Sequence, residues 1–99
     1  LARLLRTRGI ALTVVVYPWP DQVLAKDLSS RQVLFWQNWA RDNNAAFVDL
    51  FSGFIGPTLA NDDDPKEVIR RFYVPYDFHF NEAGHALIAE AFLAVFELP

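Results

Sequence analysis

Residues Ile10 to Val16 form a nearly unbroken apolar run rich in β-branched side chains, and Tyr17-Pro18-Trp19-Pro20 ends it abruptly. β-Branched residues fit a pleated, packed surface, and a run without polar alternation predicts a strand buried on both faces of a parallel sheet. Proline cannot donate to a ladder and restricts the residue before it, so the strand stops there. A parallel strand needs a crossover to its neighbour, and the next residues supply one. Asp21 to Lys26 read as a connection, and Asp27, Ser29 and Ser30 are candidate N-caps for a helix to about Asp42. Val33, Phe35, Trp36, Trp39 and Ala40 fall on one arc of that helix, expected to pack, and Arg31, Asn38, Arg41 and Asp42 on a wet one. Asn43-Asn44 closes it, and Ala46 to Leu50 reads as a second strand, giving a right-handed strand, helix, strand unit and an α/β fold class.

The flanks are organised around that unit. Leucines spaced three and four apart before Gly9 predict the last turns of a helix with Gly9 as its stop. Ser52 to Asp64 reads as a loop on its Gly and Pro content. Asp64-Pro65-Lys66-Glu67 reads as a helix start, with Glu67 placed to reach back, followed by a short helix to about Arg71 and an extended piece at Phe72 to Val74. Asn81 is the expected cap of the last helix, from Glu82 to about Leu98. Leu87, Ile88, Ala91, Phe92, Val95 and Phe96 are expected inward, with Glu82, Glu90 and Glu97 in water.

Composition narrows the function classes. With 99 residues there is room for one small domain, and 53% hydrophobic content argues against disorder. Nine basic against twelve acidic residues leave a net charge of −3, without the basic footprint that phosphate backbones require, so nucleic acid is not an expected partner. No apolar stretch is long enough to read as a membrane segment. The absence of cysteine removes thiolate catalysis and sulfur-ligated zinc. The absence of methionine and the mid-helix opening predict that residues 1–99 are the carboxyl-terminal portion of a single larger domain.

Chemistry concentrates in Tyr76-Asp77-Phe78-His79-Phe80-Asn81-Glu82-Ala83-Gly84-His85. In an extended or loosely turned segment Asp77 and His79 project to the same side, so the carboxylate can bond one imidazole nitrogen and aim the other at a nucleophile. Phe78 and Phe80 fit either water exclusion around that pair or ordinary core. Trp19, Trp36 and Trp39 are all expected mainly in the core, and Trp19 alone, in a loop at the carboxyl end of a parallel strand, is also a candidate substrate-binding residue. His85 is expected to pack beside Phe92 and Phe96 or bond the preceding loop, and Asp62-Asp63-Asp64 to form a solvated turn plus cap rather than a calcium loop.

The run Asp77, His79, Asn81, Gly84, His85 with an apolar helix behind it resembles the carboxyl-terminal signature of the SGNH (GDSL-like) hydrolases. The order of the elements agrees with that family over most of the chain, which would be half of the family's domain. The resemblance implies part of a three-layer α/β/α, flavodoxin-like sandwich with parallel strands, and a serine esterase or O-acyl transferase without a cofactor or metal. It further implies a small-molecule or carbohydrate ester as substrate, His79 as general base and Asp77 as its orienter. This sequence departs from the family in having one residue, Phe78, between Asp and His where two are usual, a spacing also found in polysaccharide O-acetylation relatives. It also has no match to the nucleophile block or to the oxyanion glycine and asparagine blocks. The resemblance therefore implies that the missing amino-terminal half supplies the serine and that the 99 residues alone are inactive. Two other readings compete: Asp77, His79 and His85 as ligands of a hydrolytic metal, and a non-catalytic α/β module that keeps this block for packing.

Overall fold

The computed structural model describes residues 1–55 and 64–96. Among them the chain is mixed α/β, with six helices and a two-stranded parallel sheet. Helix α1 (Ala2–Thr7) ends where Gly9 takes a left-handed φ of 68°, which lets the Ile10 N–H reach back to the Leu5 carbonyl. Strand β1 (Thr13–Val16) pairs with β2 (Ala46–Asp49) in the register Val14 to Phe47 and Val16 to Asp49. The strand is shorter than the apolar run, and its faces are unequal. Val16 is buried and Val14 packs against the core, whereas Val15 is 38% exposed, which corrects the expectation of burial on both faces. A two-stranded sheet has too few neighbours to cover both sides of a strand.

The crossover contains more structure than the sequence suggested. Where Asp21 to Lys26 read as a connection, Pro20–Leu24 form α2: Pro20 presets the first turn, and the Gln22 side chain accepts from the Trp19 N–H. Helix α3 (Arg31–Asp42) begins as expected, with the Ser30 hydroxyl accepting from Val33 N–H, and packs against both strands. Only Val33 and Ala40 of its apolar arc are buried. Phe35 and Trp36 are exposed and Trp39 is half-buried, forming an edge-on aromatic ladder instead of core.

The core lies beyond the carboxyl end of the strands. Phe51–Phe54 form a short helix, α4, where a loop was expected, because the Asp49 carboxylate accepts the Phe51 N–H and both phenylalanines are fully buried. Phe51, Phe54 and Ile55 join Val16, Val23, Val33, Val68, Phe72 and Tyr73 in one cluster. Helix α5 (Pro65–Phe72) is capped by Asp64 as expected, but Glu67 pairs with Arg70 rather than reaching back. Tyr73 makes an isolated antiparallel bridge with Phe80. Helix α6 (Glu82–Val95) lays Leu87 and Ile88 against the core. Val95, expected inward, is exposed, so α6 covers the core with only part of its apolar surface. Asp62, Asp63, Glu97 and Leu98 lie outside the described residues.

One glycine fixes how α6 meets α5. A Cβ on Gly84 would overlap the Phe72 carbonyl oxygen and lie 2.9 Å from Phe80 Cβ, so only glycine permits this approach. Gly84→Ala should therefore lower the unfolding free energy by about 2 kcal/mol, as overpacking against rigid backbone does, despite alanine's better helix propensity. Urea unfolding followed by circular dichroism checks this, and an unchanged midpoint would contradict it.

Candidate functional site

The segment from Tyr73 to Asn81 is a closed loop that its own backbone bonds hold in shape. Beside the Tyr73–Phe80 bridge, Val74 N–H donates to the His79 carbonyl, Asp77 N–H to the Val74 carbonyl, and Asn81 N–H to the Phe72 carbonyl. Asn81 closes the base. Its side chain accepts from Gly84 N–H at 2.8 Å as the α6 cap and donates to the Arg71 carbonyl at 3.0 Å, tying the end of α5 to the start of α6. Tyr76 takes a left-handed φ of 59°, the reversal that turns the chain back towards Phe80.

This loop brings Asp77 and His79 together. His79 Nδ1 lies 2.8 Å from Asp77 Oδ1, and the same oxygen accepts the backbone N–H of Phe78 at 2.7 Å and of His79 at 3.4 Å. An ionised carboxylate only accepts, so the bond requires the proton on Nδ1, and in the neutral imidazole this leaves Nε2 as a bare acceptor. The His79 bond, the Phe78 N–H and the His79 N–H all favour the charged carboxylate and hold the Asp77 pKa below the usual carboxylate range, against a smaller opposing effect of desolvation. The His79 side chain is 69% exposed, so the pair faces solvent. Among the described residues Nε2 makes no hydrogen bond, and none of the chain's serines, Ser29, Ser30 and Ser52, is bonded to it.

The loop stands at the carboxyl end of β1. The buried Tyr73 hydroxyl donates to the Pro18 carbonyl at 2.7 Å, and the Tyr17 ring meets Phe80 edge-on with centroids 5.4 Å apart. Phe80 is core, stacked on Phe54 at 5.0 Å, whereas Phe78 is exposed between the Trp19 and His79 rings. Of the two phenylalanines, then, Phe80 packs as core, whereas Phe78 neither joins the core nor shields the pair from solvent. Trp19, 52% exposed where core was its main expectation, lines a cavity of about 840 Å³ together with Leu24, Ile69, Tyr73, Asp77 and Phe78. His85 stands exposed on α6 with its ring edge towards Phe80 rather than Phe92 or Phe96. Among the described residues no three His, Asp or Glu side chains group as a metal site requires. No described helix is long and apolar enough to cross a membrane.

The sequence pointed to Asp77, His79 and Trp19 but not to the Tyr73–Pro18 bond or to the ring stack of Phe78. Neither has a periodic signal. The one clue is the density of aromatics, at 15% of residues, split between the strand exit and this loop. No protein-family model, curated protein or solved structure matches the chain.

The carboxylate gives the site a defined acid dependence. A group whose folded pKa is depressed contributes stability that is complete above its unfolded pKa and disappears as pH falls through the folded value. Asp77 should therefore titrate below an ordinary aspartate, and its hydrogen bond to His79 should break in that acid range. In His79→Ala its midpoint should rise towards the ordinary value, because the His79 bond is the largest cause. Side-chain carboxyl ¹³C shifts followed against pH measure both, and an identical Asp77 midpoint in the two proteins would contradict the assignment.

Proposed function

We propose that this chain carries the base-bearing part of a serine esterase or O-acyl transferase of the SGNH type. His79 Nε2 takes the proton of a serine hydroxyl supplied by another segment of the longer protein, while Asp77 holds the Nδ1–H tautomer and stabilises the imidazolium that forms. The serine oxygen attacks an ester carbonyl. The carbonyl carbon gains a bond to serine and loses its bond to the alcohol, which leaves with the proton returned from His79. Water or a second alcohol then accepts the acyl group by the same steps in reverse order.

The observation that carries this reading is the 2.8 Å Asp77–His79 contact, with Nε2 exposed, at the carboxyl end of a parallel strand. Open α/β sheets bind their ligands at that end. The large, mostly apolar cavity beside Trp19 and Asp77 suits the non-reacting part of an ester. Part of a three-layer α/β/α sandwich is the architecture this reading entails, the parallel β1–β2 pair being two of its strands.

Fluorophosphonate labelling tests the reading without knowledge of the substrate. The 99-residue chain alone should not label, and the longer protein should label at one serine. His79→Ala should abolish that labelling, and Asp77→Asn should slow it by about 10²- to 10⁴-fold, the usual range for losing an acid–base partner. A folded longer protein that takes no label, or labels equally with His79→Ala, sinks the proposal in favour of a non-catalytic module.

A further inference from the structure

The sequence places Phe78 between Asp77 and His79, where an extended chain would send its ring to the opposite side. The bend of the loop does otherwise. The Phe78 ring lies on the His79 imidazole, with centroids 4.5 Å apart and planes 29° apart, and the Trp19 indole lies on Phe78 at 5.2 Å and 14°. Indole, phenyl and imidazole thus form one stack, built from two segments far apart in sequence.

We infer that Trp19 and Phe78 are positioning residues for His79, setting the plane of the imidazole so that Nδ1 stays on Asp77 and Nε2 stays open. The inference deepens the proposed function and takes its purpose from that reading. The geometric need is plain. An exposed imidazole tethered by one hydrogen bond can turn about its χ2, a broad, roughly two-fold torsion, and a half-turn exchanges Nδ1 for a carbon and breaks the bond. A face contact opposes every partial turn, because a ring tilted out of that plane collides with Phe78, and the Asp77 bond then selects between the two in-plane orientations. Phe78 is itself exposed and needs a partner to stay in place, and Trp19 is the partner.

Trp19 is well placed for this. Its backbone N–H donates to Gln22 Oε1 as α2 begins, and the preceding Pro18 is fully buried and bonded through its carbonyl to Tyr73. The Trp19 backbone is therefore anchored by the strand exit rather than by the loop that its side chain meets. One face stacks on Phe78, so the role expected for Trp19 from sequence, substrate contact at a pocket wall, is shared with a structural contact to the base.

The test reads the imidazole directly in the 99-residue chain. Long-range ¹H–¹⁵N correlation spectra report which ring nitrogen carries the proton, and ring-current shifts of the His79 carbon-bound protons report the stack. Native protein should show the Nδ1–H tautomer and upfield His79 ring protons. Trp19→Ala should remove the upfield displacement and move the tautomer towards the mixture of free histidine, and Trp19→Phe should restore both. Phe78→Leu should do as Trp19→Ala does, and serves if that variant fails to fold. An unchanged tautomer in either folded variant, whatever the shifts do, would overturn the inference. No serine takes part in this readout, so it can fail while fluorophosphonate labelling succeeds, or succeed while labelling fails.

Discussion

The hydrogen bond from the Tyr73 hydroxyl to the Pro18 carbonyl is the joint on which the site depends. It spans two segments far apart in sequence and lies in the interior, where both partners are buried. Pro18 ends the strand because it cannot continue the ladder, and its own carbonyl would be left without a partner if the phenol were absent. A buried acceptor without a donor costs more than the bond itself contributes, so strand exit and loop are held together by the penalty for separating them. Burial also pushes the Tyr73 phenol far above its ordinary pKa, which keeps the hydroxyl protonated and a donor.

From that joint the aromatic packing runs in two directions. Inward, Tyr73 meets Phe80 at 4.7 Å, and Phe80 meets Phe54, so the base of the loop is an extension of the core. Outward, Pro18 fixes Trp19, and the indole and Phe78 reach the imidazole. The same segment from Tyr73 to Asn81 therefore presents a rigid inner edge and a wet outer one. The inner edge sets where the Asp77 backbone lies, and the outer edge sets the orientation of two side chains that solvent would otherwise leave free.

Much of this order was legible in the residues because it rests on local rules. Gly9, Ser30, Asp64 and Asn81 are helix boundary residues whose chemistry acts within a few positions, and each sits at the boundary expected of it. The pairing of Asp77 with His79 is local for the same reason. What failed was tertiary. Phe35, Trp36 and Val95 are apolar at helical spacing, which identifies a face but not whether anything covers it, and here they are exposed. Pro20–Leu24 and Phe51–Phe54 are helices too short to leave a periodic pattern. They form because Gln22 and Asp49 satisfy backbone groups and because Val23, Phe51 and Phe54 enter the core. The stack on His79 was not legible at all, since it needs a bend that turns Phe78 to the unexpected side.

The exposure of the Asp77–His79 pair has a physical meaning of its own. Charge separation between imidazolium and carboxylate is weakly stabilised in water and strongly stabilised where water is excluded, so an open pair is a poor base by itself. The proposed reading requires a surface to close over Nε2 when serine and ester are in place. Apolar side chains are exposed elsewhere on the chain too: Val15 on the sheet, Phe35 and Trp36 on α3, and Leu93 and Val95 on α6. On the proposed reading the segment bearing the serine would have to meet the carboxyl end of the sheet, where Tyr17 and Trp19 adjoin the His79 loop.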